Sequence, residues 1–270
     1  MEISLAGWSI HRRFFDKKIT LVDYPKVTAE EFGIDMIELN SPFFEYDDPD
    51  NQGTSPVKAS NLADVKAAAA DAGVRCLSIA VDGHGNLAAL DEAERAAAVE
   101  NHRKWFDISN DLGCTSFRAN SGGHGPEGTE EQQIGQCTKS FAELAEIGRQ
   151  NGIVVTMENH GGISYDPDVV VRIMTEIDSP HCRVLADFLN WPDQDDKLAN
   201  LRKVAPFAFA THAKFLSFDA DGESPEIDAG QAVKILNEAG YANPYGIEYE
   251  GKTDDHEGVL KSKALLLKYA

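Results

Sequence analysis

The chain has 270 residues, of which 42% are hydrophobic and 26% are charged. This size and composition are typical of a globular protein with one large domain. The formal net charge of −20 repels nucleic-acid phosphates and anionic membranes, and so argues against both as partners. No apolar run approaches the ~20 residues of a membrane span, and no signal-peptide pattern opens the sequence. We therefore expect a soluble cytoplasmic protein whose four separated cysteines are reduced and mostly buried.

Taken in chain order, helix-like stretches alternate with short apolar stretches, and glycines often mark the junctions. Gly33, Gly73, Gly113 and Gly152 recur at intervals of about 40 residues, and each stands where a helix would end in a left-handed residue before a strand begins. Gly240 precedes a further apolar stretch in the same way. The alternation predicts repeated units of one strand and one helix.

Eight apolar stretches are predicted to be β-strands, each followed by a helical segment. Several are continuous apolar runs, as expected for parallel strands that are buried on both faces. The predicted strands are Ile3–Gly7, Ile34–Leu39, Val74–Val81, Thr115–Asn120, Ile153–Glu158, Arg183–Asp187, Phe207–Ala213 and Gly246–Tyr249. Eight such units predict an α/β protein with a single (β/α)8 barrel over residues 1–270. An open, doubly wound sheet is the alternative, but no glycine-rich nucleotide fingerprint follows the first strand.

Four consecutive predicted strands end in a side chain that can bind a metal ion. In (β/α)8 barrels the carboxyl ends of the strands carry the functional groups, so these four side chains should meet at one mouth. Three carboxylates and one imidazole suit a single divalent ion, and would repel one another without a cation or protons. We therefore predict a metal site formed by Glu158, Asp187, His212 and Glu248. Mn²⁺ is the favoured ion, with Mg²⁺, Co²⁺ or Zn²⁺ as alternatives.

The four motifs that contain these residues resemble the xylose isomerase-like TIM barrel superfamily, in particular its sugar isomerase and epimerase-like members. They are VTMENHGG, LADFLNW, THAK and GIEYEG, and the resemblance covers nearly the whole chain. It implies that the four residues bind one divalent ion and that Glu158 and Glu248 also form the catalytic acid/base pair. It further implies a metal-dependent isomerase or epimerase of a sugar, keto-sugar or inositol derivative that acts through an enediolate.

Two positions near the predicted site depart from the ketose 3-epimerases of this superfamily. Those enzymes usually carry a His where this sequence has Asn190 and an Arg where it has Phe218. Lys214 is a candidate for the missing positive charge, and His160, next to Glu158, is a candidate for a second base. A lyase that eliminates water or an aglycone from a keto-sugar is therefore an alternative function. A non-enzymatic sugar-binding barrel is another, and the net charge opposes a DNA repair enzyme of the endonuclease IV type.

Residues near the predicted strand ends are candidates for binding an unphosphorylated carbohydrate substrate. Aromatic rings suit the apolar face of a sugar, and polar groups suit its hydroxyls. The candidates are Trp8, His11, Glu38, His84, Asn120 and Asn190, and the same strand ends also carry Asp82, Arg118 and His124. A homo-oligomer is compatible with the resemblance.

Overall fold

The computed structural model describes residues 1–123, 125 and 128–270, so His124 lies outside the described residues. In the described part, eight parallel strands close into a barrel in chain order, which confirms the predicted fold class. All eight predicted strands are present, with small differences at their ends. They are β1 (Ile3–Ala6), β2 (Met36–Asn40), β3 (Arg75–Ala80), β4 (Ser116–Ala119), β5 (Val154–Glu158), β6 (Cys182–Asp187), β7 (Ala208–Phe215) and β8 (Tyr245–Tyr249).

Helices follow the strands and pack around the outside of the barrel, as in other (β/α)8 proteins. Gly73 and Gly152, two of the glycines predicted to end helices, have φ of 66° and 71°, a left-handed conformation that favours glycine. In the described residues the helices are α1 (His11–Phe15), α2 (Tyr24–Val27), α3 (Ala59–Ala72), α4 (Glu92–Leu112), α5 (Glu130–Asn151), α6 (Pro167–Ile177), α7 (Lys197–Val204), α8 (Ala229–Glu238) and α9 (Asp255–Lys268).

The strands are buried almost throughout. Every residue of β1, β2, β4, β5 and β8 is buried, as expected for a parallel sheet that packs on helices outside and on its own side chains inside. All four cysteines are free and buried, which confirms their predicted environment. Among the described residues, no helix has the length and apolar character needed to cross a bilayer.

The register of the last three strands brings the predicted site together. Asp187 on β6 is the partner of His212 on β7, and Lys214 on β7 is the partner of Glu248 on β8. Because alternate residues of a strand face the same side, His212 and Lys214 project together. Strand β7 continues through both residues to Phe215, two residues beyond its predicted end.

Candidate metal centre

The four predicted metal ligands form one buried cluster at the carboxyl ends of β5 to β8. One ligand atom from each of Glu158, Asp187, His212 and Glu248 lies within 4.8 Å of the other three, and all four residues are buried. Nδ1 of His212 lies 3.4 Å from Oε1 of Glu158 and 3.4 Å from Oε1 of Glu248. The imidazole nitrogen therefore stands between two carboxylates that approach from different strands.

Each of these residues has one buried atom that makes no hydrogen bond within the described structure. These atoms are Oε2 of Glu158, Oδ2 of Asp187, Nδ1 of His212 and Oε2 of Glu248. Buried polar atoms without a hydrogen bond are rare because each costs about 1–3 kcal/mol, and here the three carboxylate oxygens have only charge contacts with Arg118 and Lys214. A divalent ion accepts lone pairs from this set of oxygens and nitrogen, so the residues fit a metal site.

Lys214 is buried next to the cluster. Its Nζ lies 2.8 Å from Oε2 of Glu248, 3.4 Å from Oδ2 of Asp187 and 3.3 Å from Oε2 of Glu250. It also donates a hydrogen bond of 2.9 Å to Oδ1 of Asn190. The ammonium group thus compensates part of the negative charge of the cluster, although its contact with Glu248 is a charge contact rather than an aligned hydrogen bond.

A second buried cation, Arg118 on β4, contacts the Glu158 carboxylate. Its Nε lies 2.9 Å from Oε2 of Glu158, and its Nη1 donates to Oδ1 of Asp82 at 2.6 Å and to Oδ1 of Asn120 at 3.0 Å. Asn120 in turn donates to Asp82 at 2.9 Å. The network extends from the cluster to the strand ends of β3 and β4.

These contacts shift the pKa values of the carboxyl groups in different directions. Burial raises the pKa of Glu158, but the positive charges of Arg118 and His212 outweigh burial and lower that pKa to about 2. Burial, reinforced by the charges of Glu248 and Glu158, instead raises the pKa of Asp187 to about 7 despite the attraction of Lys214. Burial lowers the pKa of His212, but the surrounding carboxylates raise it well above its usual range. The metal-free cluster therefore retains protons that a bound cation would displace.

A family model for the xylose isomerase-like TIM barrel matches residues 28–269. The chain belongs to this family. The predicted resemblance is thereby confirmed. No protein with a curated function matches the sequence significantly.

Several solved structures share the architecture of this xylose isomerase-like barrel at low sequence identity. The 3-keto-D-glucoside 4-epimerase YcjR from E. coli has 15% identity and a TM-score of 0.73, with 99% of each chain covered. A D-tagatose 3-epimerase-like protein has 17% identity and a TM-score of 0.77, with 100% of this chain and 97% of the other covered. The IOLI protein with a bound zinc atom has 14% identity and a TM-score of 0.75, with 100% and 99% covered. At these identities the likeness shows the fold.

Asn190 and Glu38 also reach the cluster of this xylose isomerase-like barrel. Asn190 donates a hydrogen bond of 3.2 Å to Oε1 of Glu158 while it accepts the bond from Lys214. Glu38 lies on the other side of His212, with its Oε2 3.1 Å from Nε2 of the ring. Both residues contact metal-ligand candidates directly.

Three other candidates lie at the mouth of the barrel or in the loops that surround it. Trp8 and His11 are half-buried and stack with their ring centroids 4.8 Å apart. They lie near β8, because Ser9 accepts a hydrogen bond from the backbone N–H of Tyr249. His160 is exposed at the end of β5, and its positive form lowers the pKa of Glu158.

The structure does not bring His84 to the cluster. Its ring is buried against α4, with centroids 5.6 Å from His102 and 5.4 Å from Trp105, and its Nδ1 contacts the carbonyl of Asp82 at 2.7 Å. Burial lowers the pKa of His84 to about 4, so the ring is neutral at physiological pH.

Sequence reasoning gave too little weight to Arg118 and Asn159. Arg118 is the one charged residue of β4, whose four residues are all buried, and such a residue is rarely buried without an ionic partner. Asn159 hydrogen-bonds to both the N–H and the carbonyl of Asp187, and so holds the β6 strand end against β5. It stands next to Glu158 in the sequence, but no pattern indicates where its side chain points.

Proposed function

We propose that this protein is a divalent-metal-dependent isomerase or epimerase of a sugar, keto-sugar or inositol derivative, acting through an enediolate. The observation that carries the proposal is the buried cluster in which three carboxylates and one imidazole each keep an atom free of hydrogen bonds. Structurally similar proteins include a 3-keto-D-glucoside epimerase and a D-tagatose 3-epimerase-like protein, which favours carbohydrate chemistry.

Glu158, Asp187, His212 and Glu248 would hold the ion, for which Mn²⁺ remains the favoured identity and Zn²⁺ an alternative. When bound, a divalent ion polarises the substrate carbonyl and stabilises the negative charge that develops on its oxygen. The ion would also compensate the carboxylates that now rely on Lys214 and on protons.

Glu158 and Glu248 are suited to move the proton of the substrate carbon. The positive neighbours of each lower its pKa below the usual range, so both are ionised at neutral pH, as a base must be. They belong to β5 and β8, with two strands between them, and can address different faces of a carbon bound between them. One carboxylate removes the proton and becomes neutral, and the other must first take up a proton from solvent to deliver it to the opposite face of the carbon.

Lys214 and Asn190 would hold the substrate oxygens and balance the charge of the intermediate. At the position where the ketose 3-epimerases usually carry an arginine, the ring of Phe218 instead stacks on Tyr249 with centroids 6.2 Å apart. Lys214 supplies a cation at the cluster itself. Trp8, His11 and Asn120 remain candidates for contacts with the rest of the sugar.

A lyase is the second candidate, and the placement of His160 favours it. His160 is exposed beside Glu158, where its ring could protonate or deprotonate a group that the glutamate pair does not reach. Such an additional acid would assist an elimination by protonating the leaving oxygen. The same initial proton abstraction would then end in loss of water or an aglycone.

The test is proton exchange on a panel of 3-keto-glucose, inososes and ketohexoses. Protein loaded with Mn²⁺ is incubated in D₂O, and the recovered sugars are analysed by NMR. We expect deuterium next to the carbonyl of a recovered or isomerised sugar. Glu158→Gln and Glu248→Gln should each reduce exchange by about 10²–10⁴-fold, whereas Glu238→Gln, an exposed glutamate on α8, should retain it.

The outcomes separate the candidates. An unsaturated sugar or a released aglycone that depends on His160 would establish the lyase instead. Sugar binding without exchange or elimination on any member of the panel would favour a non-enzymatic barrel.

A further inference from the structure

The carboxylate of Glu38 lies in the interior of the barrel, below the metal cluster. Its Oε2 contacts Nε2 of His212 at 3.1 Å, and its Oε1 accepts a hydrogen bond of 2.6 Å from Oγ of Ser4. Glu38 is only 6% exposed. It borders a cavity of about 50 Å³ that is also lined by Phe209 and Pro244, which lie at the amino-terminal ends of β7 and β8. Glu38 therefore faces away from the mouth through which a substrate would enter.

The two ring nitrogens of His212 face different surroundings. Nε2 faces Glu38, whereas Nδ1 faces Glu158 and Glu248 and has no hydrogen-bond partner among the described residues. A neutral imidazole carries one proton, and a carboxylate accepts that proton but repels a lone pair. If Nδ1 binds a metal ion, the ring keeps a single proton on Nε2, and Oε2 of Glu38 lies where it can accept that proton.

The barrel leaves room for this arrangement at Gly246 on β8. A Cβ atom at that position would lie 2.2 Å from Oε1 of Glu38 and 2.7 Å from the carbonyl oxygen of Thr211. The absence of a side chain thus allows the Glu38 carboxylate to cross the interior to His212, while Ser4 holds its second oxygen.

We propose that Glu38 is a positioning residue that fixes the orientation and tautomer of His212, so that Nδ1 is presented to a divalent metal ion. The proposal rests on the metal-binding part of the proposed function. Metal-bound histidines commonly donate their other ring N–H to a carboxylate, and loss of such a partner typically weakens metal binding by about 10–100-fold. Glu38 would then act through His212 and would not contact the substrate.

The experiment compares metal affinity in Glu38→Gln, Glu38→Ala and Ser4→Ala with that of the wild-type protein. Mn²⁺ and Zn²⁺ are titrated by calorimetry into protein stripped with EDTA, after circular dichroism has shown that each variant folds. We expect Glu38→Ala to raise the Kd by about 10–100-fold. Smaller increases are expected for Glu38→Gln, whose amide still offers an oxygen, and for Ser4→Ala. Glu238→Gln, an exposed glutamate on α8, should leave the Kd unchanged.

A second readout reports the tautomer directly. Long-range ¹H–¹⁵N spectra of the Zn²⁺-loaded protein should show His212 protonated on Nε2 in the wild type and mixed or reversed in Glu38→Gln. A folded Glu38→Gln variant with unchanged metal Kd and unchanged tautomer would overturn the proposal. A raised KM for a sugar at unchanged metal Kd would overturn it as well, and would make Glu38 a substrate contact.

The failure of the two proposals can be told apart. If the wild-type protein binds no divalent ion, both the metal-dependent function and the role of Glu38 are wrong. If the wild type binds the ion and the Glu38 variants bind it equally well, only the role of Glu38 is wrong.

Discussion

Neutralising Asp187 should stabilise the metal-free protein while it removes the stabilisation that a metal provides. Oδ1 of Asp187 accepts hydrogen bonds from the backbone N–H groups of Leu189 and Asn190, both at 2.7 Å, and an asparagine oxygen can keep both. Oδ2 has no such partner and is fully buried. Asp187→Asn therefore removes the charge and leaves the backbone bonds in place.

The magnitude follows from the raised pKa of Asp187. The pKa of Asp187 changes from 3.8 in the unfolded chain to about 7 in the folded protein. Because the unfolded state ionises first, the free energy of unfolding falls as the pH rises through this range. For an isolated carboxyl the change corresponds to about 4 kcal/mol. Lys214 and the neighbouring carboxylates adjust together with Asp187, so we expect a gain of about 2 kcal/mol at pH 7.5.

The assay is urea unfolding of the wild type and Asp187→Asn, each with EDTA and with Mn²⁺. The variant should be more stable in EDTA. Mn²⁺ at 100 times its Kd should add about 2.7 kcal/mol to the wild type and almost nothing to the variant. Asp193→Asn, an exposed position in the same loop, is the control. If Asp187→Asn is less stable than the wild type in EDTA, or gains equally from Mn²⁺, this reasoning is refuted.

Three further substitutions test other parts of the structure. Lys214→Met should lower the unfolding free energy of the metal-free protein by about 3–5 kcal/mol, since it leaves buried carboxylates unpaired. Because the Lys214 ammonium competes with a metal ion for these carboxylates, calorimetry should show tighter metal binding by this variant. Weaker binding would contradict that competition. Burial lowers the pKa of His102 to about 4, so the stability from its neutral form is present above pH 6.5 and is lost as the pH falls towards 4. His84 and Asp187 also titrate between the two states in this range, so the test compares urea unfolding at pH 7.5 and 5 in the wild type and in His102→Phe. The change in stability between the two pH values should differ by about 2 kcal/mol between the two proteins; an equal pH dependence would count against a neutral buried ring. Trp8→Ala should raise the KM for the sugar by up to about tenfold through loss of an aromatic contact and leave the metal Kd unchanged, and a changed Kd would argue against a substrate role.

The parts of the fold that follow from periodicity were predictable from the sequence. Glycines at regular intervals and continuous apolar runs indicated eight strand–helix units, and the closed barrel confirms them. The rule that functional groups gather at the carboxyl ends of strands was sufficient to choose Glu158, Asp187, His212 and Glu248, which the structure brings together. These choices depended on position along a strand, which the sequence encodes locally.

The direction in which individual side chains point was harder to predict from the sequence. Glu38 was chosen as a sugar ligand because it lies near the end of β2, yet its carboxylate turns towards His212 and Ser4, which are distant in sequence. His84 lies in a loop whose conformation places the ring against α4. The ion pair between Arg118 and Glu158 joins two strands through contacts that no local pattern specifies.

Metal titration tests the central claim most directly. Protein stripped with EDTA is titrated with Mn²⁺ and followed by calorimetry and electron paramagnetic resonance, alongside His212→Ala and the control Asp193→Asn. The structure predicts one ion per chain for the wild type and the control, with binding strongly weakened in His212→Ala. Absence of binding to the wild type, or equal binding by His212→Ala, would contradict the assignment of this cluster as a metal site.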